Sequence, residues 1–294
     1  MVATSRPRRS VLYMPGSNTR AMEKGRSLPA DALILDLEDA VAPDAKEQAR
    51  TNIQEALAQG GYGKREILVR VNALDTAWGA DDLAAMATAG ADGILLPKVE
   101  SAETVLAAQK ILDDNGGPVD LAIWCMIETP LGVLHAEEIG GSSPRLGGFV
   151  MGTSDLAKDL HCLHTPERLP FMASLNIAVL VARAFGLAVL DGVHLDLSDD
   201  AGFEASCKQG LELGFDGKTL IHPKTIAAAN AVFGPTAEEI EHSTKIIEAF
   251  DSASAAGKGV VLLDGKLVEN LHVENAKRIL ALAAMIEALE ADQA

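Results

Sequence analysis

The chain has 294 residues, 25 Lys and Arg against 42 Asp and Glu, and a formal charge of −17; 48% of it is hydrophobic and 4% aromatic. That apolar fraction excludes a disordered chain, and an acidic balance with so few rings excludes a nucleic-acid surface, which needs basic stripes or stacking platforms. No apolar stretch reaches the roughly 18 residues of a membrane span, and Met1–Ser10 has Arg6, Arg8 and Arg9 but no apolar leader core. Cys125, Cys162 and Cys207 lack CxxC spacing, so neither a disulfide framework nor a zinc knuckle is expected. A cytoplasmic enzyme with no membrane and no nucleic-acid partner is the expectation.

In chain order, short runs rich in Val, Ile and Leu fall at Ser10–Met14, Ala32–Leu37, Ile67–Val71, Gly93–Leu96, Leu121–Ile127, Gly148–Met151, Leu187–Leu190 and Lys218–Ile221. Most are continuously apolar, the mark of strands covered on both faces. Between them, segments such as Ala45–Ala58, Ala102–Leu112, Pro170–Phe185 and Gly202–Leu213 place apolar residues at helical spacing. Strand and helix alternating about eight times predict a (β/α)8 TIM barrel over residues 1–234. No GxGxxG or GxxxxGK[ST] follows the first strand, which disfavours a doubly wound sheet. Residues 235–294 predict an extension: a helix near Ala237–Ala256, two short strands, Val260–Leu263 and Lys266–Val268, about the turn Asp264-Gly265, and a helix over Val273–Leu289. A closed barrel does not need this tail, so a lid or a subunit-swapped segment is expected.

Catalytic groups of such barrels stand at the C-terminal ends of the strands. There the sequence puts Asp36, Glu38 and Asp39, then Arg70 and Asn72, Lys98, Glu128, Ser154 and Asp155, Asp191 and His194, and His222. Pro15-Gly16-Ser17 ends the first strand and reads as a backbone anion cradle. Glu128 and Asp155 each follow an uncharged run on neighbouring strands. Two carboxylates with no Cys or His describe a hard oxygen site for Mg2+, with Mn2+ as the alternative ion. The competing role for Glu128 is an ion pair with Lys98 or Arg70. Arg70 offers a fixed fork to a carboxylate or an enolate oxygen; Asp36 or Glu38 could equally hold it. Glu38 and Asp39 are expected to orient metal waters or Arg70. His222 is a residue expected to line the site. His161 and His164 form an isolated pair, a weak zinc signal, and no GxSxG elbow is present.

Seven motifs in order resemble the citrate lyase β-subunit-like family of CoA-ester lyases, which includes malyl-CoA and citramalyl-CoA lyases and related thioesterases. They are Arg9-Ser10-Val11-Leu12-Tyr13-Met14-Pro15-Gly16, Leu35-Asp36-Leu37-Glu38-Asp39-Ala40-Val41-Ala42-Pro43, Val69-Arg70-Val71-Asn72, Leu96-Pro97-Lys98-Val99, Ile127-Glu128-Thr129-Pro130, Gly152-Thr153-Ser154-Asp155-Leu156 and Gly217-Lys218-Thr219-Leu220-Ile221-His222-Pro223. The resemblance implies Mg2+ held by Glu128 and Asp155, Arg70 polarising the thioester-derived oxygen, and a CoA thioester gripped partly by Lys24. Lys98 and His222 complete the expected substrate-binding set. It also implies a homo-trimer or homo-hexamer whose C-terminal segment closes over a neighbour's site.

The family's lyases carry an acid/base Asp in the C-terminal hairpin, after Gly-Lys-(Leu/Met)-(Val/Ile). This chain reads Gly265-Lys266-Leu267-Val268-Glu269. One extra methylene moves the carboxylate by about 1.5 Å, a bond length, and proton transfer is sensitive to such a shift. The leading expectation is therefore that Glu269 sets water on the thioester and the chain hydrolyses (3S)-malyl-CoA to malate and CoA. The alternatives are retro-Claisen cleavage of malyl-CoA, β-methylmalyl-CoA or citramalyl-CoA, and a citrate lyase β-type subunit acting on a carrier-bound citryl thioester. Aldolase action on a free 2-oxo acid is a further possibility, distinguished by having no affinity for CoA.

Overall fold

A computed structural model describes residues 6–255 and 259–293. The chain divides into two compact units, one running from Arg8 to Phe233 and the other from Gly234 onward.

The first unit is a closed barrel of eight parallel strands in sequence order. They are β1 (Ser10–Pro15), β2 (Ala32–Asp36), β3 (Glu66–Arg70), β4 (Gly93–Leu96), β5 (Ala122–Ile127), β6 (Leu146–Met151), β7 (Ala188–Asp191) and β8 (Gly217–Leu220). Helices connect successive strands, including Lys46–Gln59, Ala102–Asp114, Met172–Phe185 and Asp200–Leu213. The near-continuous apolar runs are explained by two separate cores. Val11, Ala32, Ile34, Leu68, Leu95, Trp124, Met126, Val150 and Leu190 fill the barrel interior. The alternate residues, such as Leu12, Leu33, Val69, Ile94, Cys125, Phe149 and Val189, pack under the helices. A strand facing apolar neighbours on both sides has no polar side to show.

β6 begins two residues before the sequence pattern placed it. The register slips between Ile123 and Trp124, so that Ile123 pairs with Leu146 and Trp124 with Gly148. Glycines allow this because a β-carbon at 147 or 148 would press into the Trp124 ring. The N-terminal ends of the strands are closed by ion pairs. Arg8 pairs with Glu66 and lies 5.0 Å from the Trp124 ring centroid, and Arg9 holds Asp31 at 2.9 Å. Charge at that end is consumed by structure, which leaves the opposite end for chemistry.

In the second unit a helix (Ala237–Ala255) packs against a long one (Asn270–Gln293). Between them β9 (Val261–Leu263) and β10 (Lys266–Val268) pair antiparallel. Asp264 and Gly265 both have positive φ, 52° and 76°, as a tight hairpin turn requires. The final helix starts three residues earlier than periodicity suggests, because the Glu269 carbonyl accepts the His272 and Val273 amides and caps its first turn. Ala256, the expected end of the first helix of the extension, lies outside the described residues. Among the described residues no helix is long and apolar enough to cross a membrane.

Candidate active site

Parallel register aligns Pro15, Asp36 and Arg70 across β1, β2 and β3. Asp36 and Arg70 both point inward at the C-terminal rim. Arg70 Nε and Nη2 donate to the two Asp36 oxygens at 2.7 and 2.6 Å. The amides of Glu38 and Ala40 fill the remaining Asp36 acceptor positions at 2.9 and 3.1 Å. A carboxylate satisfied on every side in a buried setting is a rigid mount. The other edge of the guanidinium, Nη1, lies 2.9 Å from Glu38 Oε2 and donates to the Met126 sulfur at 3.6 Å. Tyr13 places its ring under the same group, 4.9 Å from ring centroid to Cζ. Burial opposes the charge on Arg70, but these partners outweigh it and raise its pKa further, so it is a permanent cation.

Glu38 joins two cations. Its Oε1 accepts from Lys98 Nζ at 2.5 Å while Oε2 faces Arg70. Lys46 fixes the loop beneath by donating to the carbonyls of Leu37 and Glu38 at 2.8 and 2.7 Å. Burial works against the Lys98 ammonium, yet the hydrogen bond and charge of Glu38, with Glu128 and Asp39, hold its pKa above the ordinary lysine value. Asp39 is different: its side chain is 62% exposed and 3.8 Å from Arg70. It faces water at the rim and does not share the buried network.

Lys98 adopts a left-handed backbone, φ 49°, a conformation that costs a non-glycine residue and clusters at sites. The strained turn has a visible result: the Lys98 amide donates to Glu128 Oε1 at 2.8 Å. The second oxygen, Oε2, packs against Gly152, where a β-carbon would overlap it. Among the described residues Glu128 accepts no other hydrogen bond. Burial pushes its carboxyl up to about 7, against the opposing influence of the Lys98 amide and the nearby Lys98 and Arg70 charges. Gly152 immediately precedes the helix Thr153–Leu160, whose first turn carries Asp155. Asp155 is 23% exposed and only loosely paired, 3.5 Å from Lys158 Nζ. The segments after the adjacent strands β5 and β6 thus carry one buried and one half-open carboxylate.

Other expected residues have partners of their own or stand on other elements. Asp191 does not face the mouth. It follows the inward Leu190, so the alternation of the strand turns it toward the helical layer, where Lys218 Nζ (2.8 Å) and Arg168 Nη1 (2.7 Å) lock it. His194 Nε2 is buried with no partner among the described residues, and its ring meets the edge of Phe203. In the Pro15–Ser17 turn the Gly16 amide donates to the Asp36 carbonyl at 2.8 Å, and the Asn18 amide that follows donates to Pro15 O at 2.9 Å. Asn72 is tied to Asp82 at 2.6 Å. His222 is exposed, and its Nδ1 accepts the Lys224 amide at 3.1 Å as a helix cap. Lys24 is exposed on the first helix. Glu269 belongs to the second unit, where its amide donates to His272 Nδ1 at 3.1 Å. His161 and His164 gather no third ligand: among the described residues no set of three His, Cys, Asp or Glu converges as a metal site.

A model of the HpcH/HpaI aldolase/citrate lyase family matches residues 9–223. The chain belongs to this family. It is 48% identical over 291 residues to the (3S)-malyl-CoA thioesterase of Cereibacter sphaeroides, covering 99% of this chain and 100% of that protein. It is 36% identical over 308 residues to the L-malyl-CoA/β-methylmalyl-CoA lyase of the same species, covering 97% of each. Among solved structures it resembles Mycobacterium tuberculosis CitE in complex with magnesium, acetoacetate and coenzyme A, with a TM-score of 0.75, 27% identity, and coverage of 97% of this chain and 100% of that one.

In this citrate lyase family chain the donor set fits a hard divalent ion. Glu128 offers an oxygen free of donors in a buried setting, and Asp155 offers a second from the adjacent strand end. Magnesium takes one or two protein carboxylates and leaves its other positions to water and substrate. The residues that sequence reading missed are Tyr13, Met126 and Gly152. Alternation turns the first two inward, since each lies two residues beyond an interior position, Val11 and Trp124, but gives them no chemical role. Gly152 gave no such signal, because its role is to leave space for a side chain from another strand.

Proposed function

We propose that this chain hydrolyses (3S)-malyl-CoA to malate and free CoA, with Mg2+ held by Glu128 and Asp155. The observation that carries the reading is Glu128, a buried carboxylate with one oxygen fixed by the Lys98 amide and the other lying against Gly152, beside a guanidinium locked in place by Asp36. Full-length identity of 48% to a (3S)-malyl-CoA thioesterase supports the choice of substrate. A bound magnesium ion would supply neutralisation of the negative acyl oxygens.

The chain's own residues do the rest. Arg70 presents Nη1, which lies 2.9 Å from Glu38 Oε2 and donates to the Met126 sulfur, to the thioester oxygen as negative charge grows on it. Asp36 keeps the guanidinium plane from turning, and Glu38 holds Lys98 at the rim. Glu269 is the carboxylate that orients water and takes its proton, an assignment resting on the pattern of its hairpin. Water oxygen then bonds to the thioester carbon, the C–S bond breaks, and the proton passes to the departing thiolate. Lys24, Lys98 and His222 are proposed contacts for the CoA thioester at the mouth. The same reading makes the enzyme a cytoplasmic homo-trimer or homo-hexamer, with residues 235–294 as a closing segment.

The 36% identity to a malyl-CoA lyase favours C–C cleavage as the second reading. One assay separates them: purified protein with malyl-CoA and Mg2+, with and without EDTA, followed by product identification. Metal-dependent release of malate and CoA is expected. Acetyl-CoA with glyoxylate would assign the lyase reaction, turnover only on a carrier-bound citryl thioester would assign a citrate lyase β-type role, and no turnover of any of these would overturn the proposal.

A further inference from the structure

Two strong donors at the floor of the mouth share one weak acceptor. Arg70 Nη1 and Tyr13 Oη both point at the sulfur of Met126, at 3.6 and 3.8 Å. A thioether accepts hydrogen bonds poorly, and among the described residues the phenol has no other hydrogen-bond partner. Tyr13 packs on the interior cluster of the barrel yet stays partly exposed. An oxygen carrying negative charge, set above that sulfur, would give Tyr13 Oη a good acceptor in place of a poor one, and would take the Nη1 hydrogen now aimed at the sulfur while Nη1 keeps Glu38 Oε2 at 2.9 Å. The exchange is favourable because hydrogen bonds to charged groups contribute more than neutral ones.

We infer that Tyr13 Oη and Arg70 Nη1 act as a paired donor for the thioester-derived oxygen, which makes Tyr13 a catalytic residue. The pair lies on two separate strands, β1 and β3, braced by the closed sheet, and needs no reorganisation when charge develops. Burial, with the charges of Asp36, Glu128 and Glu38, outweighs the opposing charge of Arg70 and keeps the phenol protonated well above neutral pH, so it remains a donor throughout the working range. The inference rests on the thioester reading above and adds to it a group that the sequence pattern did not mark.

The test is Tyr13→Phe, which keeps the ring beneath Arg70 and removes only the hydroxyl. In the magnesium-loaded enzyme, kcat on malyl-CoA is expected to fall about 10- to 100-fold with little change in KM, the signature of an interaction made in the transition state. Malate titrated calorimetrically into the magnesium-loaded parent and variant is expected to bind about tenfold more weakly to the variant, since the product carboxylate retains that oxygen. Unchanged kcat and unchanged malate affinity overturn the pair. If the parent binds malate through Tyr13 but does not turn over malyl-CoA, the donor pair stands and the thioesterase reading falls. A parent that neither binds malate nor turns over malyl-CoA overturns both.

Discussion

Arg70 and Asp36 are joined fork to fork, with Nε and Nη2 on the two carboxylate oxygens at 2.7 and 2.6 Å. The pair links adjacent strands at the rim of the barrel and leaves one edge of the guanidinium facing the site. Asp36→Asn keeps the shape but turns one acceptor into a donor aimed at Arg70. We expect kcat/KM to fall at least about a hundredfold and stability to drop by about 3–5 kcal/mol, the cost of stranding one partner of a buried pair. Magnesium affinity, measured by calorimetry, should stay near the parent value, because Asp36 does not touch Glu128.

Glu128 sets function against stability. Its carboxyl is raised from 4.5 to about 7 by burial, so the fold binds that proton more tightly than the unfolded chain does. The stabilisation from this group is therefore full below about 4.5 and decays as pH rises, exhausted above about 7. In the metal-free protein Glu128→Gln should abolish activity yet raise stability at pH 7.5 by on the order of 2 kcal/mol, since the amide oxygen still accepts from Lys98 without a buried charge. Denaturant melts at pH 5 and 7.5 check this; the gain should be absent at the lower pH.

Gly152→Ala probes the space beside the same carboxylate. A methyl there overlaps Glu128 Oε2, so the side chain must turn away. Magnesium affinity is expected to fall about tenfold or more, as when the support of a ligand is disturbed, and excess magnesium should restore part of the activity.

Asp155 is half-open and weakly paired, so its removal should be quiet for the fold. Asp155→Asn is predicted to change stability by less than about 0.5 kcal/mol while weakening magnesium binding about 10- to 100-fold. Loss of melting cooperativity would show instead that its main role is structural.

Glu269→Asp shortens the proposed water-orienting arm by one methylene. Hydrolysis of malyl-CoA should fall by about 10- to 100-fold, the contribution of one acid/base group, and the same product analysis tests for acetyl-CoA with glyoxylate as new products. Unchanged rates would remove Glu269 from the mechanism.

Periodicity and the positions of strand ends were enough to determine the barrel, the hairpin turn at Asp264-Gly265, and the rim positions of Asp36, Glu38, Arg70, Lys98, Glu128 and Asp155, because an inward or outward direction repeats every two residues and a polar residue closing an apolar run has few reasons to be there. The tertiary structure alone decided which of these residues meet. Asp36 takes the Arg70 fork, Lys98 spends its backbone amide on Glu128, and Asp191 turns away to Lys218 and Arg168 instead of joining them. It also decided the value of residues that look ordinary in one dimension, namely Tyr13, Met126 and Gly152. Those roles depend on register between strands and on space left by a neighbour, and both are properties of the closed sheet, carried by no single segment of the chain.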